Sequence, residues 1–176
     1  MKIAFLGDSL TQANNWQSVF KQHKIQNFGV KGDKTSDVLL RINKVVEFEP
    51  QIVFILLGIN DLGEAIACHE ILNNYKKIVF ILQEKNRAIQ IFIQSLLPVN
   101  KNIFKNSKLQ VVDILRFNEF LNLFAKESNC VYLSLYELFV DDDNHLKIDY
   151  TSDGLHLNTS AYKLWETILK FKIQLI

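Results

Sequence analysis

Three short stretches carry side chains suited to acyl transfer: Gly7-Asp8-Ser9-Leu10, Gly58-Ile59-Asn60-Asp61 and Asp153-Gly154-Leu155-His156. A serine hydroxyl is a weak nucleophile until a base takes its proton. An imidazole titrates in the right range for that task. A carboxylate must then hold the ring in one tautomer and stabilise the imidazolium. Asp153 and His156 stand three positions apart, so a single turn can bring the carboxylate to Nδ1 and leave Nε2 facing Ser9. The oxyanion that forms next needs donors aimed at it in advance. Backbone N–H groups at glycine-bearing loops can supply them, as can the side-chain amide of Asn60. Asp8 and Asp61 each adjoin one of these residues. Both are expected to hold their loops by accepting backbone N–H bonds rather than to act on a substrate.

Residues 147 positions apart meet only if the chain between them folds back repeatedly. Five apolar runs read as strands: Ile3–Leu6, Lys24–Phe28, Gln51–Leu57, Ala88–Ser95 and Cys130–Leu135. Helical faces lie between and after them, at Val38/Ile42/Val45, Ile71/Tyr75/Ile78/Leu82, Ile114/Phe117/Leu121/Phe124 and Ala161/Leu164/Trp165/Ile168. A further, weaker helix is expected around Asn15 to His23, and Asn158 suits the N-cap of the last one. Near-continuous apolar strands alternating with amphipathic helices predict an α/β domain over residues 1–176, with a parallel sheet covered on both faces. Ligands in such folds sit at the carboxyl ends of the strands. The six glycines agree: five follow the first three strands, Gly154 lies before the last helix, and none is expected inside a helix.

These blocks resemble the GDSL or SGNH family of serine esterases and acylhydrolases. Ser9 lies in the GDSL block, Asn60 in a G-x-N-D block and Asp153 with His156 in the closing D-x-x-H block. A fourth block, N-x-x-x-x-G-D, matches Asn27 to Asp33. The resemblance implies a flavodoxin-like three-layer αβα fold with a five-stranded parallel sheet in the order 2-1-3-4-5. It implies Ser9 as nucleophile, His156 as base and Asp153 as its orienting carboxylate. It implies Ser9 N–H, Gly32 N–H and the Asn60 side chain as oxyanion donors, with Gly29 the alternative to Gly32. It implies neither a metal nor an organic cofactor. The expected substrate is a small-molecule ester, acetyl-type first. Thioesters, lysophospholipids or a non-catalytic ligand-binding role on the same fold are the alternatives. Two positions depart from the common pattern: Leu157 follows His156 where many members have proline, and Lys34 separates Asp33 from Thr35. The G-x-S-x-G elbow of the α/β-hydrolases is absent.

Composition excludes other classes. With 20 Lys+Arg against 19 Asp+Glu, the net charge of +1 provides no field for nucleic acid or an anionic membrane. The longest apolar stretch, residues 52–59, is too short to span a bilayer. The N-terminal apolar run is too short for a signal peptide, so a cytoplasmic protein is expected. Cys68 and Cys130 form neither a zinc spacing nor a disulfide framework. Asp141-Asp142-Asp143-Asn144 lacks the glycine and glutamate of a calcium loop and reads as solvated. His23, expected near a helix end, and His69 and His145 read as incidental. The segment Ser95 to Asn100, following the fourth strand, belongs near the pocket. The number of subunits is not legible.

Overall fold

The computed structural model describes residues 1–174. Five strands pair side by side: β1 (Lys2–Gly7), β2 (Lys24–Gly29), β3 (Ile52–Leu56), β4 (Gln90–Gln94) and β5 (Val131–Leu133). Every pairing is parallel and the order is β2-β1-β3-β4-β5. The class and strand order are those expected. Strand β3 is buried along its whole length, which is why it reads as an unbroken apolar run.

The helices are α1 (Ser9–Gln12), α2 (Trp16–Val19), α3 (Thr35–Phe48), α4 (Ile59–Gly63), α5 (Cys68–Lys85), α6 (Val111–Glu127), α7 (Tyr136–Phe139) and α8 (Thr159–Gln174), with a 3-10 turn at Ile148–Tyr150 before α8. Strand alternation sorts the core into two layers. Ala4, Leu6, Val53, Ile55, Ile91 and Ile93 pack under α3, α5 and α6. Ile3, Phe5, Ile52, Phe54 and Phe92 pack under α2, α7 and α8. In the second layer the parallel register lines up Phe5, Phe54 and Phe92 across three strands, and their rings stack at centroid distances of 5.2 and 4.8 Å. Trp16 closes the row, 4.3 Å from Phe5.

Three expectations need correction. The helix expected around Asn15 to His23 is only the four-residue α2. Asn15 caps it by accepting the Ser18 N–H, and by His23, whose N–H bonds back to Phe20, the chain is already turning into β2. His23 thus lies in a turn, not at a helix end. Strands β4 and β5 are shorter than their apolar runs at both ends; beyond their carboxyl ends Ser95 Oγ takes the Leu135 and Tyr136 N–H groups. Gly63 is the last residue of α4, so one glycine does lie in a helix. Asn158 caps α8 as expected, accepting from Ala161 N–H at 3.1 Å. Among the described residues, no helix is long and apolar enough to cross a membrane.

Candidate active site

The four blocks converge at the carboxyl end of the sheet. Ser9 stands one residue past β1 and opens α1, so its N–H belongs to the helix end that lacks an intrahelical partner. Its Oγ lies 3.1 Å from His156 Nε2. His156 Nδ1 lies 2.7 Å from Asp153 Oδ2. The other Asp153 oxygen accepts the backbone N–H groups of His156 at 2.8 Å and Leu155 at 2.9 Å. Partial burial works to raise the Asp153 pKa, but the His156 ring and these two N–H groups outweigh it and hold the carboxyl at about 2. Asp153 is therefore an anion throughout the neutral range. A contact chain of this kind can pass the hydroxyl proton to the ring and stabilise the imidazolium that results.

The loop bearing this pair is gripped from behind. Asn100 N–H donates to Gly154 O at 2.8 Å, and the Asn100 side chain donates to Leu146 O at 2.9 Å. Gly154 has φ +84°, and a Cβ there would come within 2.7 Å of Asn100 O, so only glycine fits. The segment after β4 thus positions the Asp153 loop.

Asn60 and Gly32 line one small cavity, and Asn60 bonds the residue next to Gly32. Asn60 opens the first turn of α4 and donates through Nδ2 to Asp33 O at 2.9 Å, which fixes its amide and leaves its second N–H. Gly32 has φ +82° and faces open space. Gly29 differs: it ends β2, and its N–H is taken by Asn27 Oδ1 at 2.8 Å.

Carboxylates brace these loops. Asp61 is buried and accepts from Thr35 Oγ1 at 2.6 Å and Thr35 N at 3.0 Å, while Asn74 donates to Thr35 Oγ1 at 3.0 Å. Burial raises the Asp61 pKa against the pull of the Thr35 bonds. Asp8 is wholly buried; Oδ1 accepts Leu10 N–H at 2.9 Å and Oδ2 has no partner. Burial pushes its carboxyl up to about 7, against the Leu10 N–H and the His156 ring. Each acid thus accepts a backbone N–H, Asp8 within its own turn and Asp61 from the start of α3. Arg41 was not legible as a participant. It bonds Asp33 Oδ2 through Nε at 2.7 Å and Gly7 O through Nη2 at 3.3 Å, tying the Gly7–Leu10 block to the Asn27–Asp33 block. As one polar residue on an amphipathic helix, it carries no mark of that role. Lys34 lies at the rim, its Nζ 2.8 Å from Glu64 Oε2.

The remaining candidates fall elsewhere. His69 is in the first turn of α5, and His145 Nδ1 lies 3.4 Å from the Asn102 amide. Asp141 accepts the Asp143 and His145 N–H groups and closes its own loop. Among the described residues no cluster of three His, Cys, Asp or Glu could hold a metal ion. Cys68 and Cys130 are free thiols whose pKa burial raises.

The sequence pattern of the GDSL-like Lipase/Acylhydrolase family matches residues 5–164. A human protein named platelet-activating factor acetylhydrolase IB subunit alpha1 is 26% identical over 169 residues, covering 92% of this chain and 70% of its own. A GDSL-like lipase from Bacteroides thetaiotaomicron superposes with a TM-score of 0.84 at 22% identity, over 98% of this chain and 87% of the other. An acetyl xylan esterase superposes at 0.79 and 23% identity, over 96% and 100%. The two superpositions establish the fold. The family match covers most of the chain: it is a carboxylic ester hydrolase by class, and it belongs to the GDSL-like lipase/acylhydrolase family.

Proposed function

We propose that this chain hydrolyses short-chain carboxylic esters, acetyl esters among them, through an acyl-enzyme on Ser9. The observation that carries this reading is the unbroken contact chain from Ser9 Oγ through His156 to Asp153. Ser9 Oγ attacks the ester carbonyl carbon and its proton passes to His156 Nε2. The carbonyl oxygen becomes an oxyanion facing the N–H groups of Ser9 and Gly32 and the Asn60 amide. The C–O bond to the alcohol breaks, and the alcohol leaves with the proton from Nε2. Water then gives a proton to Nε2 and attacks the acyl carbon; the bond from that carbon to Ser9 Oγ breaks, Nε2 returns the proton to Oγ, and the acid leaves. Asp153 stays ionised and steadies the ring charge in both halves.

The human relative's name includes acetyl hydrolysis, which supports the short-acyl part of the reading. A fluorophosphonate probe and an aryl acetate test the whole. The expected result is stoichiometric labelling at Ser9, turnover of the acetate, and loss of both in Ser9→Ala. A protein that is folded, unlabelled and inert towards a panel of esters is a binding module on the same fold.

A further inference from the structure

The surroundings of the Asp153–His156 pair and of the Gly32–Asn60 pair differ. Towards His156 the site is open to water, with the ring side chain 42% exposed and that of Asp153 50%. Past Gly32 and Asn60 lies a cavity of about 240 Å³, walled by Ile59, Phe104, Leu109 and Leu155. Asn106 also lines it and braces its wall as a strut. Asn106 Nδ2 donates to Gly63 O at 3.1 Å, and Oδ1 accepts from Lys108 N at 2.9 Å. Lys101 Nζ holds the Asn106 and Leu109 carbonyls from behind. Gly63 stands three residues beyond Asn60 on α4, one helical turn away. The strut therefore joins the segment after β4 to the far end of the helix that presents the amide.

An ester bound productively has its carbonyl oxygen against Gly32 and Asn60 and its leaving oxygen within reach of His156 Nε2. That orientation sends the alcohol towards the solvent side and the acyl substituent towards the cavity. We infer that this chain selects its ester by the acyl part, that the cavity between Asn60 and Asn106 receives that part, and that the Asn106 strut sets its maximum length. The inference rests on the Ser9 acyl-enzyme reading and narrows it. At ~30 Å³ per water-sized volume, the cavity holds an acyl group of up to about six to eight heavy atoms, more than acetyl needs. Each methylene buried there should raise kcat/KM about fourfold until the chain meets the strut. The ion pair between Glu64 and Lys34 leaves no uncompensated charge at that rim, which suits an uncharged alkyl chain.

The test is a profile of kcat/KM on 4-nitrophenyl esters from acetyl to decanoyl. It is paired with acetates of phenol, 4-butylphenol and 2-naphthol, whose leaving groups are alike in acidity. Wild type should rise with acyl length to about hexanoyl and then fall, while the three acetates stay within about threefold. Asn106→Ala should move the maximum to longer chains and raise the decanoyl-to-butanoyl ratio by about tenfold or more. Phe104→Ala enlarges the same cavity without touching the backbone bond from Phe104 N to Asn100 O and should shift the profile the same way, so the test survives a misfolded Asn106 variant. Folding is checked by circular dichroism. A wild-type enzyme with a flat acyl profile, or folded variants whose profile does not move, overturns the inference and leaves the esterase reading standing. A wild type that neither turns over any ester nor takes the fluorophosphonate overturns both.

Discussion

Asn60 and Asp61 sit on a helix turn pinned by Asp33, Thr35 and Asn74, whereas Asp153 and His156 ride on a loop with about half of each side chain in water. The pinned half takes its orientation from distant parts of the chain, so damage there spreads into the fold. In the exposed half the loop backbone is held at Gly154 by Asn100, but the side chains orient each other: one Asp153 oxygen accepts the backbone N–H of the residue whose ring the other holds. Such a local device gives precise placement with little buried surface. Substitutions on the exposed half should therefore cost turnover and spare stability, and those on the pinned half should cost both.

The largest effect is expected at the centre. Ser9→Ala or His156→Ala should lower kcat by about 10⁶-fold, as when a triad member is removed elsewhere. The melting temperature of His156→Ala should move by no more than about 2 °C, since its ring is partly exposed and packs little. Asp153→Asn should cost about 10⁴-fold in kcat by favouring the wrong tautomer. Its stability signature has a defined sign. A carboxyl held at about 2 when folded, against 3.8 otherwise, favours the folded state above about pH 4 and loses that contribution as the pH falls towards 2. Solvent screening keeps the contribution small. The Asp153→Asn variant should lack it, read as a smaller acid-induced drop in melting temperature.

On the pinned half, Asn60→Ala should lower kcat by about 10²- to 10³-fold if its amide meets the oxyanion. Unchanged turnover would remove it from that role. Asp61→Ala strands the Thr35 N–H and hydroxyl in a buried place, at about 1–3 kcal/mol. For a chain of this size that corresponds to a loss of roughly 2–10 °C in melting temperature, with about tenfold in kcat as Asn60 loosens. The comparison breaks if Asp61→Ala melts like wild type, or if His156→Ala melts like Asp61→Ala.

The difference between the halves also explains what could be read from the residues alone. Ser9, Asn60, Asp153 and His156 are adjacent to glycines or to each other in short blocks, so type and spacing expose them. The strand order followed from the resemblance, and strand existence from runs such as residues 52–56 that the sheet buries on both faces. Arg41 and Asn100 were opaque as participants, because each acts through a contact made only after folding: Arg41 reaches Gly7 across 34 positions, and Asn100 reaches Gly154 across 54. The length of α2 was hidden for a similar reason. Trp16 and Phe20 look like one apolar helical face, but Asn15 caps a new helix there and the chain must turn at once into β2.

Asp8 tests the boundary between the halves, with the smallest expected effect on turnover. It is fully buried like Asp61, yet His156 lies close enough to lower its pKa while Asp33 and Asp61 raise it; Tyr75 and Tyr162 are the other titratable groups whose own pKa it raises. Burial dominates and sets the carboxyl at about 7. Below about pH 4 both folded and unfolded chains carry the proton, and Asp8 contributes no slope. Between about 4 and 7 the unfolded chain ionises first, so folding stability falls as the pH rises, and above 7 the penalty is constant. In Asp8→Asn the side-chain oxygen can still accept Leu10 N–H, so the α1 turn should persist, but the titration is gone. The melting temperature of Asp8→Asn minus that of wild type should become more positive from pH 4.5 to pH 8 and then level off, with kcat at pH 7.5 within about fivefold of wild type. Parallel melting curves across that range would mean that Asp8 is already ionised in the folded protein, paired in a way its lone Leu10 contact does not provide.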